Sequence, residues 1–171
     1  MISIRAERSD DIGAIHTINE IAFGGSAEAD LVDALRIACP DALSLVAVSD
    51  DQVVGHILFT PVTLQDEPGA PRGMGLAPMA VVPERQRQGI GSLLIKAGLE
   101  ILRQRACPFV IVVGHPEYYP RFGFVPASRH GLVCQWEGVP DDTFMVLILD
   151  DAPMAGVSGI ARYRDEFDEA M

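Results

Sequence analysis

The stretch that most limits what this chain can become is residues 76–102, LAPMAVVPERQRQGIGSLLIKAGLEIL. An apolar, strand-like run stops at Pro83, the polar residues Arg85, Gln86, Arg87 and Gln88 follow, and Gly89-Ile90-Gly91 opens a long amphipathic pattern. Glycines at such a joint let the backbone pass close to a bulky group. The first turn of a helix has N–H groups without intrahelical partners, and its dipole favours negative charge. The joint therefore reads as a phosphate cradle, in which the N–H groups of residues 87–92 converge on an anion and Arg85, Arg87 and Lys96 supply local positive charge. The plainer alternative is a glycine pair that only lets helix and strand pack closely.

A chain of 171 residues, 49% hydrophobic and 22% charged, can close one core. The expected organisation is one domain over residues 1–149, with a C-terminal extension, 150–171, packed on that domain or on a partner. The net charge of −11 argues against nucleic acid or an anionic membrane as partner, because polyanions are bound through basic surface. An amine is easier to accommodate. Cys39, Cys107 and Cys134 are odd in number and lack C-x-x-C spacing, so neither a disulfide framework nor a metal site is expected. The start MISIRAERSDD has no apolar leader core, and no run reaches the roughly 18 apolar residues of a membrane span. A cytoplasmic location is expected.

Residues 2–7 (ISIRAE) alternate as a strand, and Ser9 or Asp10 is placed to cap a helix with Ile12, Ile15, Ile18 and Ala22 on one face. Ser26 is placed to cap a second helix through Leu31, Ala34 and Leu35, ending before Pro40. LSLVAV and QVVGHILFTPV around a short polar turn predict a hairpin. A Pro/Gly-rich loop, 66–73, leads to the buried strand MGLAPMAVV. The helix at 90–105 sets Ile90, Leu93, Leu94, Ala97 and Ile101 against a sheet, with Ser92, Lys96, Glu100 and Arg103 opposite. PFVIVVG is a buried strand, PEYYPRF a turn or short helix, and GFVPAS and FMVLIL two more strands. The order β-α-α-β-β-β-α-β-α-β-β is of the mixed α+β class. In the tail, YRDEFDEA reads as a peripheral helix.

The segment Gln86-Arg87-Gln88-Gly89-Ile90-Gly91 resembles the Gln/Arg-x-x-Gly-x-Gly/Ala signature of the GNAT superfamily of N-acetyltransferases. Downstream, YYPRFGF resembles that family's Tyr-x-x-x-Gly-Phe element, with Tyr119, Gly123 and Phe124 in register. Together with VVGHILFTPV and VVGHPEYYPRFGFVPAS, the likeness is to the YhbS-like branch and covers residues 2–149. It implies a mainly antiparallel mixed sheet with helices on both faces, splayed between the fourth and fifth strands to admit acetyl-coenzyme A (acetyl-CoA). It further implies that Gln86, Arg87, Gln88, Gly89, Ile90, Gly91 and Ser92 hold the pyrophosphate. Met79, Ala80 and Val81 would bond the pantetheine arm, and an N–H near Val81 would polarise the thioester carbonyl. Pro78 cannot donate to a ladder and suits a strand that is not fully paired.

By the same resemblance Tyr119 is the general acid for the departing thiolate, with Tyr118 a pocket wall. A phenol of pKa about 10 donating to a thiolate of about 8.5 works uphill by about 2 kcal/mol unless the thiolate is desolvated. The family's carboxylate near the start of the cofactor strand is missing, since that region is Gly73-Met74-Gly75-Leu76-Ala77. His115 is the candidate base, directly or through water, and Glu28, Glu84, Glu117 and water remain open. The family's Asn after the VIVV strand is replaced by the shorter GHPEY. G-x-G-x-x-G would need glycine at Leu94, Gly-Lys occurs nowhere, and neither G-x-S-x-G nor H-E-x-x-H is present. The implied activity is direct acetyl transfer to a primary amine in a ternary complex, by a monomer or homodimer; an acyl-CoA sensor without turnover is the alternative.

Overall fold

The structure, a computed structural model, describes residues 1–65 and 68–170. Asp66 and Glu67, part of the expected 66–73 loop, and Met171 lie outside the described residues. In chain order the strands are β1 (Ile2–Ala6), β2 (Leu43–Ser49), β3 (Gln52–Gln65), β4 (Gly73–Val81), β5 (Phe109–Val113), β6 (Val125–Pro126), β7 (Leu132–Cys134), β8 (Phe144–Ile148) and β9 (Gly159–Arg162). The helices are α1 (Ile12–Phe23), α2 (Ala27–Ala38), α3 (Ile90–Gln104), α4 (Asp151–Met154) and α5 (Glu166–Ala170). Strand order is β1-β2-β3-β4-β5-β8-β6, with β9 bonded to β3 and β7. Residue packing divides the chain into two units: Met1–Thr60, Ala77–Glu100 and Asp165–Met171, and then Pro61–Leu76 and Ile101–Arg164. No helix among the described residues is long and apolar enough to cross a membrane.

In the first unit β1, β2 and the start of β3 pair antiparallel. Asp50 and Asp51 make the β2–β3 turn at φ 50° and 62°, the left-handed pair that a two-residue type I′ hairpin requires. Aspartate tolerates that region because its short carboxylate can bond locally. The start of α1 differs from the expected Ser9 or Asp10 cap. Ser9–Asp11 form a 3-10 turn, and Asp11 takes the N-cap position. The Asp11 carboxylate accepts both prongs of the Arg5 guanidinium, at 2.6 and 3.0 Å, and the Arg8 N–H at 2.7 Å. None of these charge-assisted bonds reaches an α1 N–H; they tie the start of the helix to Arg5 of β1 and to the turn at Arg8.

Helices cover both faces of β3. Alternation sends Gly55 and Phe59 to one side and His56 to the other. A Cβ at Gly55 would lie 3.1 Å from Ile90 of α3, and Gly98 of the same helix leaves room for the Phe59 ring. On the opposite side His56 meets Asn19 of α1. The buried stripe of α3 is Ile90, Leu94, Ile95, Gly98, Leu99 and Leu102, with Leu93 44% exposed. This stripe is rotated from the expected one because the close approach of Gly98 to Phe59 centres the contact there. Within this unit α5 packs on α2 and buries Phe167.

In the second unit β5 pairs parallel with β4 and antiparallel with β8, and β8 pairs antiparallel with β6. The far end of β3, Thr63–Gln65, pairs antiparallel with β9, which lies parallel to β7. These two short strands are absent from the pattern reading, because three or four residues show too little alternation. Met74, Gly75 and Leu76 are in register with Val110, Ile111 and Val112, whereas β4 itself runs on to Val81. The strands part after Leu76, the expected splay. Two residues further on stands Pro78, which has no N–H to give a neighbouring strand.

A polar chain that runs from buried to half-buried groups ties the elements of the first unit together. Asn19 Nδ2 lies 3.0 Å from the Ile15 carbonyl and 3.2 Å from His56 Nδ1, and His56 Nε2 lies 2.9 Å from Ser44 Oγ. The Ser44 hydroxyl donates to Glu7 at 2.8 Å, and Arg36 grips Glu7 at 2.8 and 2.9 Å and Asp33 at 2.8 Å. Asn19 Nδ2 can only donate, so His56 Nδ1 accepts, Nε2 carries the proton, and the Ser44 hydroxyl is left to serve Glu7. Burial alone would push the Glu7 carboxyl up; the Arg36 and Ser44 bonds outweigh it and hold it below the ordinary range.

Burial pushes His56 down to about 4, against about 6.5 in the unfolded chain. The unfolded state therefore binds more protons between these values. Stability is full above about pH 6.5 and is lost as pH falls toward 4, by ~2–3 kcal/mol at pH 4.5. Denaturant unfolding at pH 7.5 and 4.5 checks this. His56→Gln, which has no ring to titrate, should lose less stability over that interval by about the same amount; equal losses would show that His56 titration is not linked to folding.

Candidate active site

After β4, the Val82 N–H still donates to the Val54 carbonyl at 3.0 Å, and Pro83–Arg85 then turn as a 3-10 helix. The polar side chains that follow fold back on the loop. Gln86 Nε2 donates to the Val81 carbonyl at 3.0 Å and Gln88 Nε2 to the Glu84 carbonyl at 3.3 Å. The Arg85 guanidinium donates to Ser49 Oγ at 3.2 and 3.3 Å and to Gln88 Oε1 at 3.3 Å. Arg85, Gln86 and Gln88 thus shape the turn, while the Arg87 side chain is exposed.

The backbone alternates in φ: Arg87 stands at 63° and Gly89 at 85°, with Gln88 between them outside the positive region. Alternation of this kind turns successive N–H groups into a concavity suited to an anion. Helix α3 begins at once, its first bond running from the Leu93 N–H to the Gly89 carbonyl at 3.1 Å. Ile90 is buried, whereas Gly91 and Ser92 are half-buried in the first turn. A Cβ at Gly89 would meet nothing within 4 Å. Helix–strand packing therefore does not account for this glycine; left-handed backbone under open space does. On β4, Met79 and Val81 are half-buried on one face and Ala80 is buried on the other.

In the second unit Tyr119 opens the 3-10 turn Tyr119–Phe122, which ends at Gly123 with φ 98°. Its ring meets Tyr118 edge-on at 5.1 Å and Phe124 at 5.7 Å, and is only 7% exposed. A Cβ at Gly114, the residue after β5, would overlap that ring. Gly114 was not singled out in the sequence, where the signal was its position directly after VIVV. Burial, and secondarily Tyr118, pushes the Tyr119 phenol up to about 12.

His115 and Tyr119 belong to one turn: the His115 carbonyl accepts the N–H groups of Tyr118 at 3.1 Å and Tyr119 at 3.4 Å. The His115 side chain is exposed, as are those of Glu84 and Glu117, and Glu28 is half-buried on α2. Only His115 and Glu117 adjoin Tyr119 along the chain. His16, Asp30 and Asp33 offer oxygen and nitrogen atoms within 4.8 Å of one another, but Asp33 is already engaged by Arg36 and by His16 at 2.8 Å.

The turn, the parted parallel pair and the tyrosine element define an acyltransferase class, and residues 12–124 match the family model described as the acetyltransferase (GNAT) family. The chain belongs to that family. It is 36% identical over 165 residues to the N-acetyltransferase YhbS of Escherichia coli K12, covering 96% of this chain and 97% of that one. It is also 47% identical over 121 residues to the N-acetyltransferase YjhQ of the same strain, 69% of this chain and 66% of YjhQ. The crystal structure of E. coli YhbS in complex with CoA is similar at TM-score 0.90 and 35% identity, over 98% of this chain and 92% of that one. A GNAT acetyltransferase from Brucella melitensis in complex with acetyl-CoA is similar at TM-score 0.79 and 36% identity, over 98% and 99%.

Gly114→Ala places a methyl group against the Tyr119 ring. The ring should swing outward and the protein lose about 1–3 kcal/mol through overpacking. Of the three tyrosines, wild type holds Tyr119 and Tyr163 protonated beyond the ordinary phenol range. Alkaline absorbance titration should therefore show one further phenol ionising near pH 10 in Gly114→Ala; a curve identical to wild type would mean that the ring has not moved.

Proposed function

We propose that this protein is an N-acetyltransferase that moves the acetyl group of acetyl-CoA to a primary amine, by direct attack in a ternary complex. The observation that carries the reading is the left-handed pair Arg87 and Gly89 at the start of α3, with open space over Gly89. A pyrophosphate fits such a concavity, and the substrate's thioester supplies the activated acetyl group. The N–H groups of residues 87–92 hold the phosphates, with Arg87 as the exposed local cation; Gln86 and Gln88 act by fixing the loop. Backbone groups of Met79, Ala80 and Val81 bond the pantetheine arm. The enzyme works in the cytoplasm as a monomer or homodimer, without a metal, nucleic acid or membrane partner.

Tyr119 is the proposed donor to the leaving sulfur. With its phenol near 12, it is protonated at every working pH. Giving that proton to a solvated thiolate of about 8.5 would be uphill by about 5 kcal/mol. A thiolate that leaves into equally dry surroundings is destabilised as well, which narrows the gap. His115 is the proposed base for the acceptor ammonium, directly or through water, because it adjoins Tyr119 in one turn and its side chain is open to solvent.

Gly89→Ala tests the cradle. Its Cβ enters open space, so the penalty to the fold is the φ strain alone, about 1 kcal/mol. Calorimetric titration should nevertheless show acetyl-CoA affinity reduced at least tenfold; wild-type affinity in the folded variant would remove the phosphate assignment.

Tyr119→Phe tests the acid, with free thiol release measured across an amine library. Thiol release should depend on an amine, and its kcat should fall by on the order of 10²–10⁴ in the variant with cofactor affinity nearly unchanged. A donor with a low-pKa leaving thiol should recover much of the loss. Since Tyr119 loses its proton only near pH 12, the wild-type kcat should show no decline between pH 7 and 10 from this group. Wild-type speed in Tyr119→Phe would make Tyr119 a packing residue. Tight acetyl-CoA binding without turnover on any amine would favour the sensor reading.

A further inference from the structure

Tyr163, the residue after β9, lies where β4 and β5 part. The Gly114 N–H donates to the Thr143 carbonyl at 2.9 Å, continuing the β5–β8 register in which Val113 faces Phe144. In an antiparallel ladder alternate residues bond to the same neighbour. Val110, Val112 and Gly114 therefore address β8, and the backbone groups of Ile111 and Val113 turn toward β4. They flank Val112, the register partner of Leu76, and so form the last rung of the β4–β5 ladder.

The Tyr163 side chain lies against this rung. Its hydroxyl is 3.5 Å from the Ile111 carbonyl, the long limit of a hydrogen bond. The ring covers Gly75, where a Cβ would overlap it, and Trp136 stacks on it at 5.4 Å and 28°. The Tyr163 N–H donates to Gln135 Oε1 at 2.6 Å, and the whole residue is 4% exposed.

We propose that Tyr163 is a positioning residue: its hydroxyl braces the last rung of the β4–β5 ladder at the Ile111 carbonyl, so that the strands part after Leu76 and are already parted when acetyl-CoA arrives. The inference rests on the acetyl-CoA reading above. A carbonyl has two lone pairs, and a phenol can donate to one while the ladder uses the other. Pro78 keeps the next rung from forming, and Tyr163 keeps the last one from fraying. A fork fixed in this way binds its ligand without first ordering the strands, which raises affinity and leaves the chemical step alone.

Tyr163→Phe removes only the hydroxyl, since Trp136 and Gly75 still hold the ring. In the ligand-free protein, amide hydrogen exchange at Leu76 and Val113 should quicken severalfold while the rest of β5 stays protected. Calorimetry should show the acetyl-CoA Kd raised about three- to tenfold, as expected from losing one hydrogen bond, with kcat at saturation nearly unchanged. That split is the reverse of the one expected for Tyr119→Phe. Wild-type affinity or wild-type exchange at the two amides in Tyr163→Phe would overturn the inference and leave the acetyl-CoA reading standing; failure of the wild-type protein to bind acetyl-CoA would overturn both.

Discussion

The parallel pairing of β4 with β5 is the constraint from which the rest follows. Parallel neighbours cannot be joined by a tight turn, so the chain must leave the end of β4, cross over as a helix and return. Here the crossover is α3, and its first turn follows the C-terminal end of β4 through the turn at residues 82–89. In open sheets with such crossovers, ligands gather at the carboxyl ends of strands. Pro78 adds the second condition: without an N–H it ends what the ladder could otherwise continue. One connection thus yields both the concavity at Arg87–Gly89 and the parted strands.

Electrostatics in this acidic chain are local. A net charge of −11 opposes a polyanion at long range, but salt screens that field within about 8–10 Å. At the Arg87–Gly89 turn the local field inside that distance is set by backbone N–H groups and the exposed Arg87. Arg85, also in the loop, is committed to Ser49 and Gln88, so its contribution is shape before charge. The chain from Asn19 to Asp33 shows the complementary rule: a buried histidine and a half-buried carboxylate persist because each donates a hydrogen bond to, or accepts one from, the next group.

Much of the architecture could be read from pattern. Long amphipathic helices and strands of five or more residues declare themselves by periodicity, and Gly89 declares itself by sitting between polar residues and a helix. The misplacements share a cause. Asp11 in place of Ser9 or Asp10 depends on Arg5, six residues away and on a strand. The rotated face of α3 depends on which of two apolar stripes meets Phe59, and Gly98 decides that through a contact with another element. β7 and β9 are strands only because they find each other and β3.

What the sequence alone determined is local: element types, the Gly-x-Gly joint, the tyrosine motif, and through them the family. Each arises from neighbours within about one helical turn or one strand, where spacing converts directly into a shared face. Only the tertiary structure decided that Gly89 stands under open space, that Gly114 makes room for Tyr119, and that Tyr163 from the tail reaches the last rung beside Gly75. Those facts join residues up to 88 positions apart, as Gly75 and Tyr163 are, and at such separation chain order carries no geometric information until the fold closes.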